Sequence, residues 1–419
     1  MRARLTVVLL AIALAFAPLQ AGWTPQHQGL MNPLHDIEFA PGSATVGYAC
    51  GASNVMLNTT NGGADGWPQL NNLQQVGNLY DMCLPVDQNF IWIASDTGRA
   101  VFSPNAGASW QVTNTGVSTS LYGVSFPGQK DTGYVVGEGG VIRKTTNTGR
   151  NWTDASSSVS VNLNAVQFVN TSEGWAVGDA GTIIHTTNGG QAWNTQSSPV
   201  NRDLFGLRFL NATDGWALGA GRACLRTTNG GQSWDSLASL PCQPTVDLHS
   251  VVFPVGPDTG YICGTAGTVM KTGNGGGTWG LLENLVDDLY AVEFVDNQTG
   301  WVCGGRVSIF ATTDGGYVGV EETDPGPGSE TRALTCGPNP LRSHTVIRLA
   351  RPLDNNATLR VYDCAGGLVR TLDTRRSGLS PLVWDGRNDL NQKVSPGVYL
   401  IELNTKEGAS QHAKVAVLR

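Results

Sequence analysis

The stretch "GWAVGDAGTIIHTTNGGQAW" (174–193) returns 41 residues later as "GWALGAGRACLRTTNGGQSW" (215–234). Two copies at one spacing are either a duplicated site or two members of a longer series, and the period decides the architecture. The segment preceding the first copy, "LNAVQF" (163–168), has relatives at "LHDIEF" (34), "LYDMCL" (79), "LYGVSF" (121), "LFGLRF" (204), "LHSVVF" (248) and "LYAVEF" (289), so the starts lie 45, 42, 42, 41, 44 and 41 residues apart. Each is followed by a glycine-aromatic strand, an alternating apolar run, a Thr/Asn/Gly turn and usually a Trp. Four short alternating segments per repeat match one four-stranded antiparallel sheet, and radial closure is what buries both faces of every such sheet. The reading is all-β: a seven-bladed β-propeller over 22–319, a linker over 320–332, and a small β-sandwich over 333–419.

The turn explains why the words recur. In "TTNGGQAW" (186–193) the Thr186 hydroxyl and Asn188 carboxamide can bond local backbone, Gly189 and Gly190 permit positive φ, and Trp193 is an apolar wedge. Trp110, Trp152, Trp193, Trp234 and Trp279 repeat the wedge, and the last repeat, "ATTDGGYVGVEE" (311–322), lacks it. Trp23 precedes Leu34 by 11 residues, the same offset that separates Trp152 from Leu163. The segment around Trp23 is therefore expected to be the outermost strand of blade 7, joining the two ends of the ring.

Arg2 and Arg4 before the apolar run "LTVVLLAIALAFA" (5–17), with Ala21 at a cleavage position, read as a secretory signal peptide over 1–21, leaving Gly22 first. Cleavage removes two Arg, so 24 Lys+Arg remain against 33 Asp+Glu and the formal charge is -9. An acidic chain without clustered cations is a poor partner for nucleic acid. No later segment approaches the roughly 20 apolar residues of a membrane helix.

These repeats resemble the family named for the photosystem II stability and assembly factor and, more distantly, the Asp-box repeats of sialidases. The departure from the Asp-box is systematic: Asn61, Asn105, Asn147, Asn188, Asn229 and Asn274 stand where Asp is typical, and only Asp314 keeps the acid. After the linker, "GPNPLRSHTVIRL" (337–349), "ATLRVYDCAGGLVRTL" (357–372) and "LVWDGRNDLNQKVSPGVYLIEL" (382–403) resemble the immunoglobulin-like domain of flagellar hook-capping proteins and the C-terminal sorting domains of type IX secretion substrates. That resemblance implies an address or anchor read by an export machine, and a secreted or outer-membrane-surface setting in a Gram-negative bacterium.

Candidate functional residues fall into three sets. The position after the first Leu of each innermost strand holds His35, Tyr80, Tyr122, Asn164, Phe205, His249 and Tyr290. These would make an aromatic and imidazole rim at the channel mouth, although simple alternation puts them on the face of Val166 and Phe168, where interblade packing is the expectation. Lys144, His185, Arg226 and Lys271, each before a turn Thr, form a basic arc suited to an acidic protein segment or glycan, or merely to solubility. Cys50, Cys263 and Cys303 read as buried apolar fillers, while Cys224 with Cys242 and Cys336 with Cys364 are the candidate disulfide pairs. No cofactor or metal spacing is present, and "WDGRND" (384–389) reads as an ordinary turn. The function expected is a non-enzymatic, monomeric binding or assembly scaffold with an extracellular or envelope protein or glycan as partner. The alternative is a sialidase-like glycoside hydrolase, for which no singular acid pair stands out.

Overall fold

The computed structural model describes residues 22–27, 32–155, 157–285 and 287–316, and in the second unit 334–337, 345–349, 358–363, 367–372, 382–395, 397–404 and 410–417. The expected signal peptide, the linker, Cys364 and the Cys336 side chain lie outside the described residues. The chain divides into two compact units, Met1–Gly319 and Val320–Arg419.

In the first unit seven antiparallel sheets follow one another. Their innermost strands, from Leu34–Phe39 to Leu289–Phe294, touch in sequence, and the last touches the first. Blade 1 is a three-stranded sheet extended by an isolated bridge between Leu57 and Gln69. Thr24–His27 is the outermost strand of the blade 7 sheet, antiparallel to Ile309–Thr312, so the first and last described strands of the propeller share one sheet.

Aromatic stacking joins the blades. The second-strand ring of one blade lies on the innermost-strand Phe of the next: Tyr134 on Phe168, Trp175 on Phe209, Tyr261 on Phe294, and across the ring closure Trp301 on Phe39, with centroids 3.6–3.7 Å apart. Each such pair adds about 0.5–1.5 kcal/mol beyond its buried area. The stack explains the Gly before the second-strand aromatic in six of the blades, since a Cβ on Gly174 would lie 2.6 Å from the Phe168 ring. The wedge Trp meets the same Phe edge-on, as Trp193 does Phe168 at 5.8 Å. Trp23 does this for Phe294 in blade 7, also at 5.8 Å. Trp67 supplies the wedge of blade 1 against Phe39, a position the repeat reading passed over.

The turns are closed by their own side chains. Thr186 Oγ1 accepts from Gly190 N at 3.0 Å and donates to Asn188 Oδ1 at 2.9 Å, and Asn188 Oδ1 accepts from Ala192 N at 3.0 Å. The recurrent Asn is thereby occupied in holding its turn.

One cysteine expectation needs correction. Cys224 and Cys242 share a core cluster but both are free, as are Cys50, Cys83, Cys263 and Cys303. Burial, with Cys242 beside it, pushes the Cys224 thiol up to about 12, which suppresses the thiolate that disulfide formation requires.

The second unit is a two-sheet sandwich. Leu334–Gly337, Thr345–Leu349 and Leu382–Trp384 form one sheet, and Leu368–Leu372, Thr358–Tyr362, Gly397–Asn404 and Ser410–Val417 the other. Ile347 and Trp384 from the first pack with Val361, Ile401 and Val415 from the second. The "WDGRND" segment is a turn held by Arg370 on Asp385 at 2.6 Å.

Candidate functional site at the channel mouth

Every innermost strand carries a β-bulge at one position. In blade 4 the partners jump from Leu163↔Gly178 to Ala165↔Val177, leaving Asn164 unpaired, and the equivalent breaks fall at His35, Tyr80, Tyr122, Phe205, His249 and Tyr290. A bulge shifts the side-chain phase by one and re-aims the extra residue. These seven residues therefore line the channel rather than packing between blades with Val166 and Phe168, a correction to the alternation argument.

Six of them form a continuous collar. Phe205 stacks on His249 at 5.1 Å, His249 meets Tyr290 edge-on at 5.1 Å, Tyr290 meets His35 at 6.2 Å, His35 stacks on Tyr80 at 5.3 Å, and Tyr80 meets Tyr122 at 5.1 Å. Asn164 fills the remaining arc, its Nδ2 donating to Leu204 O and to Asp179 Oδ1, both at 2.9 Å. Burial lowers the pKa of His35 and His249 and raises those of the three tyrosines, so at neutral pH the collar is made of uncharged rings. Acids surround it: Asp96 and Glu138 act on Tyr122, and Asp247 and Asp288 on His249.

Below the collar lies a cavity of about 450 Å³. Its walls carry Asp36, Glu38, Asp81 and Glu293 against a single cation, Arg208. Asp36 Oδ2 accepts from Met82 N at 2.8 Å and Asp81 Oδ2 from Val124 N at 2.7 Å, so each clips its blade to the next. Desolvation raises all four carboxyls: Asp36 to about 6 and Glu293 to about 7, with Glu38 and Asp81 well above the ordinary range. Glu38 is pushed further by neighbouring Glu293 and Asp36, and Arg208 partly offsets this. Among the described residues no group of His, Cys, Asp and Glu is arranged to hold a metal.

The repeat reading missed these five residues because it treated the innermost strand as a conserved word. The available signal was the acid or cation two or four places after the leading Leu, as in "LHDIEF" and "LYAVEF".

The basic arc is engaged elsewhere. Lys144 sits over Tyr134 and donates to Gly189 O of the next blade at 2.7 Å; Lys271 sits over Tyr261 and donates to Gly315 O at 3.5 Å. Arg226 covers Trp216, and His185 stacks on Trp175 while facing Glu173 at 3.4 Å. Each is the cross-strand partner of the ring it covers. The arc is therefore an interblade seam rather than a free cationic surface.

Comparison with known proteins agrees with the propeller fold. The family described as "Photosynthesis system II assembly factor YCF48" matches residues 103–197 and 191–288. The propeller is photosystem II assembly factor-like. The chain is similar to the solved structure titled "YCF48 bound to D1 peptide", with TM-score 0.58 and 17% identity over 71% of this chain and 99% of that one. It is similar also to YCF48 from Cyanidioschyzon merolae, with TM-score 0.56 and 17% identity over 70% and 98%. U3-55K matches the assembly-factor-like propeller at TM-score 0.58 with 10% identity over 70% and 98%, a likeness of fold alone. The "FlgD Ig-like domain" family matches residues 343–409. No curated protein matches the chain.

Proposed function

We propose that this is an exported, non-enzymatic propeller that holds a basic segment of a partner protein at its channel mouth. The observation that carries the reading is the collar: six rings in a continuous chain of contacts, each set by a bulge, lining a cavity whose acidic side chains outnumber its one cation. Ring faces attract a Lys or Arg head, and the buried carboxyls beneath, held largely protonated by desolvation, gain a counter-ion against which they ionise when that head enters. The cations of the third strands are held by rings and carbonyls, which argues against an acidic partner. A propeller of similar fold is titled as binding a peptide, which supports a protein segment over other ligands. The apolar leader and the hook-capping-type C-terminal domain support export and a surface setting.

The test uses the chain from Gly22 to Arg419 and a labelled Gly/Ser decapeptide with one central Lys, beside the same peptide with that Lys acetylated. Capture of the Lys peptide at least about tenfold tighter supports the proposal, since one desolvated cation–π contact with a carboxylate nearby contributes that much. Equal binding of both peptides, or binding of neutral glycans alone, overturns it. The hydrolase alternative has one observation in its favour, the neighbouring raised carboxyls of Glu38 and Glu293. Fluorogenic glycoside turnover abolished by Glu38→Gln would replace the scaffold reading.

A further inference from the structure

Seven turns use a side-chain oxygen in the same way, and one of them does something more. In blades 2, 5 and 6 the amide nitrogen of the turn Asn donates within its own turn: Asn105 to Ser109 Oγ at 2.9 Å, Asn229 to Ser233 Oγ at 2.9 Å, Asn274 to Thr278 Oγ1 at 3.0 Å. Asp314 has no such nitrogen. Its Oδ1 accepts from Thr312 Oγ1 at 2.7 Å, as the amide oxygens do, while its Oδ2 accepts from Gly22 N at 3.0 Å, 292 positions away in the chain. The single acid at this position of the seven turns is thus the one that faces Gly22.

Gly22 is built into this place. It is buried, and it leads directly into Trp23, 5% exposed, and the closing strand Thr24–His27. It is also the residue that cleavage after Ala21 would leave first.

We propose that the Asp314 carboxylate is the binding site for the α-ammonium of Gly22, generated by hydrolysis of the Ala21–Gly22 bond. In that step water adds across the amide: its oxygen completes the Ala21 carboxylate, and the nitrogen leaves as an amine that takes up a proton. An amide N–H on a carboxylate becomes an ammonium–carboxylate pair, which adds the Coulombic attraction of a second unit charge. Removal of the leader thereby strengthens the contact that joins blade 7 to the chain start. Lys271, which also acts on Asp314, shares the carboxylate but is held over Tyr261 and at Gly315 O. An amide in place of Asp314 would suffice for the turn, since six blades carry one, so the acid is explained by the terminus and not by the turn.

The experiment compares two forms of the 22–419 chain, one with a free Gly22 amine and one extended by Ser-Ala, each with and without Asp314→Asn. The substitution places in blade 7 the residue that six other turns use, so folding is retained. The proposal expects Asp314→Asn to lower the Tm of the free-terminus chain by more than that of the extended chain, which loses only the neutral Gly22 N–H bond, and expects α-amine acetylation about tenfold slower in the native chain than in the Asp314→Asn variant, as a pKa raised by its counter-ion requires. An equal Tm change in both forms, equal acetylation rates, or an exported protein whose N-terminal residue is not Gly22 would overturn it.

Discussion

Replacing Asp36 by Asn tests how the acidic channel bears on stability. The amide oxygen keeps the bond from Met82 N, seen at 2.8 Å, while the charge is removed. Burial raises this carboxyl from 3.8 to about 6, so the folded chain retains a proton that the unfolded chain releases, and stability falls as pH rises through that interval. A difference of this size corresponds to at most about 3 kcal/mol at neutral pH and above, at about 1.36 kcal/mol per tenfold change in proton affinity. Asp36 faces Glu38, Asp81, Glu293 and Arg208, with the buried Cys50 thiol close by, and neutralising it also relieves the other three acids. Asp36→Asn should therefore raise the Tm near pH 8 by at most roughly 6–12 °C, taking about 2–4 °C per kcal/mol, and should change it little near pH 4, where the native carboxyl is already protonated. Differential scanning calorimetry at the two pH values gives the answer. Equal destabilisation at both would mean that Asp36 acts only as an interblade clip and that the channel carboxyls carry no strain.

Three further outcomes follow from the same packing. Trp23→Ala removes the blade 7 wedge against Phe294 and should cost about 3–5 kcal/mol, read from the midpoint of urea unfolding; an unchanged midpoint would show that the closing strand does not bear on the ring. Reversing charge at Lys144, Arg226 and Lys271 together should lower the Tm and leave capture of the Lys decapeptide within about twofold, because these cations pack on rings rather than face a ligand. Mass spectrometry of the air-oxidised native propeller should find Cys224 and Cys242 unlinked; a mass lower by one bridge at this pair would refute the suppressed-thiolate argument.

The fold was legible because each repeat obeys local rules that can be read singly: Thr186 and Asn188 close a turn, Gly174 admits the Phe168 ring, and Trp193 fills the blade. The same offsets located the closing strand from Trp23, since wedge and innermost strand keep one spacing. The site was half legible. The rim positions could be enumerated from the position after each leading Leu, but a period of two carries no mark of a bulge, and the unpaired residue at His35 or Tyr290 appears only when the register is seen. That one-residue slip also hid the channel acids, because it turns Asp36 and Glu38 inward together with His35. The basic arc was enumerated as well, yet its meaning depended on which ring lies across the strand, and the linear spacing of Lys144 and Tyr134 does not reveal that.

The most direct measurement of the central claim is a backbone and side-chain NMR perturbation map of the 22–419 chain titrated with the Lys decapeptide. The account predicts shifts centred on His35, Tyr80, His249 and Tyr290, with the same peptide silent after Tyr80→Ala and Tyr290→Ala are combined. Shifts confined to the turns around Lys144 and Lys271, or undiminished binding by the doubly substituted collar, would contradict it.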